Sequence, residues 1–208
     1  MIYEEYLFKL SDELIDELRD IVAVKEQSLD NPVGIDDKTL PRTLANFYNE
    51  LSHTHIKWQT REPIDNGQKI YGSINILKAE QVLGDWEGIV YFKEHQHYAW
   101  MEKFKIVDFF VAEACVGFIQ SQNNLDYLEY LDFGEPDTEP LDLTFEGYYQ
   151  LMMAARGFWY WQRVILHLRK GSGYEHEVNR FKTYMPQIFP DFKWEEFVEL
   201  YERVRIKS

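Results

Sequence analysis

Residues 55–77 read HIKWQTREPIDNGQKIYGSINIL, and the period of two that begins here, after a helical N-terminal part, decides the fold class. His55-Ile-Lys-Trp-Gln59 alternates apolar with polar residues, and Lys69 to Ile76 reads as a second strand, containing a glycine. A period of two places successive side chains on opposite faces, so both runs predict half-buried strands. Between them, Pro63-Ile-Asp-Asn-Gly67 supplies turn chemistry of the Asn-Gly kind.

Toward the N-terminus the period becomes helical. Residues 7–22 carry Leu10, Leu14, Leu18 and Ile21 or Val22 on one face, and Ser11-Asp-Glu13 inside that span resembles a helix start. Asn31-Pro-Val-Gly34 reads as a turn. A second helix is predicted from about residue 38 to 51, with Pro41 in its first turn and Leu44, Phe47, Tyr48 and Leu51 inward.

Toward the C-terminus, residues 78–83 read as a short helical turn. Gly84-Asp-Trp-Glu-Gly88 then leads into a strand at 89–92. Further strands are predicted at 106–111, 115–120 and 125–133, with 134–140 as a loop. Thr144 is placed to cap a helix over 145–155, and Arg156-Gly157 marks a break. Residues 158–168 form the next apolar segment, stopped by Gly171-Ser-Gly173. Helices over 175–184 and 193–204 finish the chain, with Pro186 and Pro190 between them. Segregated strands and helices predict a single α+β domain over residues 1–208. Its sheet is mostly antiparallel with about six strands, and N-terminal helices and a C-terminal helical cluster pack against it.

With 45% hydrophobic and 16% aromatic residues, the chain can bury a substantial core. No apolar run reaches membrane-spanning length, and the first residues are acidic where a secretory signal would be basic. The single cysteine, Cys115, excludes an intrachain disulfide and most thiolate metal sites. The expected setting is a reducing cytoplasm. Net charge is −14 and unevenly placed: residues 84–146 hold 14 acids against three lysines, whereas from Arg156 onward ten basic residues face seven acids. Such a field disfavours nucleic-acid backbones and draws basic protein partners.

Motifs that would carry chemistry are weak. His53-Thr-His55 and His95-Gln-His97 could each offer two imidazoles on one strand face, but neither brings a third ligand, and they read as exposed or capping histidines. In Glu175-His-Glu177, adjacent helical positions point apart. Cys115 lies in an apolar run with no basic neighbour, which disfavours its thiolate. No nucleophile elbow or phosphate loop is present. Acid pairs such as Asp85 with Glu87, Asp132 with Glu135 and Asp137 with Glu139 arise readily among 36 acids, which leaves a carboxylate hydrolase as the weakest reading. In Phe158-Trp-Tyr-Trp161, Phe158, Trp161 and Ile165 share a helical face and read as core, with Trp159 off that face.

The order of motifs resembles the SUKH superfamily, which includes bacterial immunity proteins and fungal cell-wall assembly regulators. The resemblance runs through Leu40-Pro41 with Leu44-Ala-Asn-Phe-Tyr48, Gly72-Ser-Ile-Asn-Ile-Leu77 with Glu80-Gln-Val82, and Gly84-Asp-Trp-Glu-Gly88. It continues through Val107-Asp-Phe-Phe110, Ala112-Glu-Ala-Cys115 and the stretch from Leu141 to Tyr148, and covers about residues 40–168. It departs at residues 49–54, where many relatives carry an Asn-Gly-Gly turn, and residues 171–208 lie outside it as a helical extension. The resemblance implies a non-enzymatic module without cofactor or metal, which acts by binding a protein. Bacterial relatives neutralise toxins, many of them nucleases; the alternative role is a regulatory scaffold for cell-wall or glucan synthesis. On this reading the partner is a basic toxin domain. The contact residues are then Asp85, Trp86 and Glu87 with Asp132, Glu135, Asp137 and Glu139. Trp86 is expected to pack into the core, leaving the acids as the contacts.

Overall fold

The computed structural model describes residues 4–30, 40–51, 53–95, 97–120 and 127–207. Seven strands form one antiparallel sheet in chain order: β1 (Ala23–Asp30), β2 (His53–Gln59), β3 (Tyr71–Ile76), β4 (Phe104–Val111), β5 (Ala114–Ile119), β6 (Glu129–Asp132) and β7 (Glu139–Pro140). Before and among the first strands come α1 (Glu4–Ile21), α2 (Arg42–Glu50) and the short α3 (Ala79–Val82). After the sheet come α4 (Phe145–Ala154), α5 (Trp161–Lys170), α6 (Glu175–Ile188) and α7 (Trp194–Val204). This is an α+β fold, and no helix among the described residues is long and apolar enough to cross a membrane.

The alternation in β2 sorts its two faces as the period requires. Thr54, Ile56 and Trp58 are buried, whereas His53, His55, Lys57 and Gln59 are not. Leu44, Phe47, Tyr48 and Leu51 are fully buried, as their helical spacing predicted. Asn66 and Gly67 take the left-handed backbone of the β2–β3 turn, closed by the Asp65–Gln68 bridge. The Thr144 side chain accepts the Gly147 N–H and caps α4, and Gly171 ends α5 at φ 73°.

Several boundaries differ from the sequence reading. Among the described residues the sheet has seven strands, where about six were expected. β1 went unread because AVKEQSLD is polar: it is the sheet's edge strand, and little of it is buried. β7 lies within the stretch read as a loop, with Pro140 at the far edge, where its missing N–H costs the ladder nothing. The strand expected at 89–92 is a run of turns, because Gly88 adopts φ 84° and the Val90 N–H bonds back to the Trp86 carbonyl. α1 starts at Glu4, so Ser11 lies inside it and does not start it. Pro41 is the N-cap of α2 rather than a first-turn residue. α6 runs on through Pro186, which falls in its last turn. The turn at 31–34 and positions 38, 39, 125 and 126 lie outside the described residues.

The sheet is split between β3 and β4, which share the single register pair Ile76–Asp108. Below that pair the α4–α5 joint occupies the gap. Ser73 donates its N–H to the Gly157 carbonyl at 2.7 Å, and Trp159 donates to the Tyr71 carbonyl at 3.1 Å. Gly72 and Phe158 thereby form an antiparallel bridge. The joint follows this path because Arg156, Gly157 and Tyr160 all adopt positive φ, which delays α5 to Trp161. Gly72 is required on the facing strand. A Cβ there would stand 2.1 Å from the Trp58 ring, which crosses the strand to donate its Nε1–H to the Arg156 carbonyl.

Candidate functional site

The connection from α3 to β4 is a compact loop built around Gly84-Asp-Trp-Glu-Gly88. Lys105 on β4 donates to the Gly84 carbonyl at 2.8 Å and anchors the loop to the sheet. Asp85 accepts from the Tyr91 hydroxyl at 2.6 Å and from the Glu87 N–H at 3.1 Å. Those bonds, the Tyr91 hydroxyl foremost, hold the Asp85 carboxyl below its ordinary pKa. Glu87 pairs with Lys93 at 2.5 Å. Both acids are exposed, and both also brace the loop internally.

Trp86 is half-buried rather than fully enclosed. Its ring meets Phe109 edge-on at 6.4 Å, and Phe109 meets Phe133 edge-on at 6.0 Å. This row of rings links the 84–88 joint to the turn after β6, where Glu135 and Asp137 are exposed with no ion pair among the described residues. The two expected groups of acids therefore lie at the two ends of one aromatic row.

The other acids of the second group are engaged within the fold. Asp132 accepts from Arg163 at 2.6 Å, and Glu139 pairs with Lys170 and the Tyr174 hydroxyl. Nearby, Asp142 pairs with Arg169 at 2.8 Å. The basic excess of the C-terminal part thus meets the acidic middle at α5, an internal pairing invisible in a linear charge count. Arg163 also holds Glu177 at 2.9 Å and lies over the Tyr160 ring at 4.5 Å.

Sequence reading missed the outward side chains of the loop itself. Ile89, Phe92 and Tyr98 are 42%, 50% and 55% exposed, the first two hidden from prediction by reading 89–92 as a strand. It also missed Asp108, which is fully buried and accepts from the Tyr148 hydroxyl at 2.6 Å and the Asn75 N–H at 3.0 Å. Burial raises its carboxyl to about 6. The available signal was a single acid inside the apolar run of β4.

The remaining candidates resolve locally. His53 and His55 stack at 6.1 Å, and His55 lies between Asn75 Oδ1 and Glu26. His97 bonds Glu102 at 2.8 Å, which raises its pKa. No cluster of three metal-ligating side chains occurs among the described residues. Cys115 is buried, and burial pushes its thiol up. Phe158, Trp161 and Ile165 are core, while Trp159 stands outside and stacks on Tyr71 at 4.8 Å.

Comparison with known protein families, curated proteins and solved structures returned no match.

Proposed function

We propose that this chain is a binding protein with no reaction of its own, which neutralises a basic bacterial toxin domain by covering its active face. The observation that carries the reading is the 84–102 loop. It presents Ile89, Phe92 and Tyr98 outward among Asp85, Glu87, Glu94 and Glu102, and it is braced from within by the Asp85–Tyr91 and Glu87–Lys93 bonds. Aromatic side chains held in place before contact lose little freedom on binding and act as anchors, and flanking acids steer a basic partner. The motif resemblance to the SUKH superfamily supports the same class of function.

The test is recovery of partners from the native host on the tagged chain. A basic protein is expected at equal stoichiometry, its toxicity relieved by co-expression, and the Phe92→Ala/Tyr98→Ala double variant should bind it at least about tenfold more weakly. Undiminished binding by that variant would refute the assigned surface. Failure to relieve the toxicity of any recovered partner would refute neutralisation.

A further inference from the structure

The split between β3 and β4 leaves an open groove of about 670 Å³ on the sheet face opposite the helices, bordered through Phe109 by Trp86 but lined by no residue of the 84–102 loop. Its volume falls within the range of small-molecule sites. One wall is the Tyr71–Trp159 stack, with rings 23° apart and each residue more than a third exposed; Phe109 and Val111 form the other. Two large aromatic side chains exposed side by side at the mouth of a groove are unusual for a surface that meets only water.

The polar groups of the groove are unequal in what they have left to give. Asn75 is fully engaged, its Oδ1 with His55 and its Nδ2 donating to the Phe109 carbonyl. Glu113 is taken by the Tyr160 hydroxyl, and Glu26 is shared by His55 and Lys57. Ser73 differs: it is 3% exposed, lines the groove, and its hydroxyl has no partner among the described residues. A buried hydroxyl left without a bond is costly unless something supplies one. Ser73 pairs in register with Lys57, whose ammonium is held by Glu26, and Lys25 lines the groove with no ion pair among the described residues.

We infer that this groove binds a small flat ring carrying an anionic group. The ring lies against Tyr71, Trp159 and Phe109, and the anion accepts from the Ser73 hydroxyl and from Lys25. A sugar fits less well, because the Asn75 amide is already spent and the lining is mainly apolar. A cationic ligand fits less well, because both carboxylates already have partners.

The probe is 8-anilinonaphthalene-1-sulfonate, a fused ring with a sulfonate, titrated into the full chain and followed by energy transfer from tryptophan. One saturable site is expected. Lys25→Glu, Trp159→Ala and Ser73→Ala should each weaken it at least about fivefold. Lys25 and Trp159 are exposed, so those variants fold. Ser73→Ala removes an unpartnered hydroxyl, so its thermal stability should hold or rise while affinity falls, a combination that a packing role would not give. Phe92→Ala should leave the dye unchanged. Absence of saturable binding, or a site that survives all three groove variants or is lost on Phe92→Ala, would overturn the inference.

Discussion

Asp108→Asn should make the protein more stable at neutral pH, by an amount that grows as pH rises. The Asp108 carboxyl is fully buried, and burial raises its pKa from 3.8 to about 6. The folded state therefore holds a proton that the unfolded chain has released. Stability linked to that proton is intact below the unfolded value near 4 and is lost as pH rises through the folded value near 6. A shift of about two units corresponds to about 3 kcal/mol at full expression, of which about 1.5 kcal/mol develops between pH 5 and 8. The amide can replace the carboxyl geometrically. Its Oδ1 still accepts from Asn75, and its Nδ2 donates to the Tyr148 oxygen in place of Gln162 Nε2, which now donates there at 3.0 Å, so the Tyr148 O–H is free to donate to Gln162 Oε1. Gln162 turns its amide over to receive it. Urea unfolding followed by tryptophan fluorescence at several pH values measures the effect. The difference between variant and parent isolates the contribution of Asp108 from that of every group the two proteins share. A stability gap that stays flat from pH 5 to 8, or shrinks as pH rises, would show that the carboxyl is ionised in the fold and that the reasoning is wrong.

Other expectations concern the supports of the fold and its surface. Arg163→Ala leaves Asp132 and Glu177, about three-quarters and four-fifths buried, without their cation and should cost about 3 kcal/mol in chemical unfolding. Thr144→Ala removes the α4 cap and should cost about 1 kcal/mol by the same measurement. Gly72→Ala forces its Cβ into the Trp58 indole, so the melting temperature should fall and the tryptophan spectrum should report exposure. Phe92→Ala and Tyr98→Ala remove exposed side chains and should leave stability within about 0.5 kcal/mol, so any loss of partner binding is a loss of contact.

Much of the architecture was legible because the local signals were strong. The β2 alternation, the Asn66-Gly67 turn, the inward face of α2 and the Thr144 cap each announced themselves within a few residues, and the structure uses each as read. Weak signals failed where an element draws its order from neighbours. β1 is polar and exists because β2 offers a full ladder from Ala23–Gln59 to Asp30–His53. The 89–92 run has strand-like residues, yet its bonds to Trp86 and Gly88 fold it back on itself. Charge was legible as a total and not as a surface, because Asp132, Glu139 and Asp142 find their cations on α5, 27 residues or more further along the chain.

The split sheet explains why the groove and the buried acid were beyond sequence reading. β3 and β4 could pair along their whole length only if Gly157 and Trp159 did not already take the Ser73 and Tyr71 ladder positions. Those positions are taken because Trp58 anchors the joint through the Arg156 carbonyl, and because Arg156 also binds Glu17 on α1 and Asp191 beyond α6. One joint thus ties the N-terminal helix, the sheet and the C-terminal helices together. The strands it keeps apart leave a groove on one face, while Asp108 and Asn75 bridge the top of the gap side chain to backbone. None of these residues is unusual alone in the sequence. Three positive-φ positions within five residues create the arrangement, and only Gly157 among them is a glycine that could have signalled it.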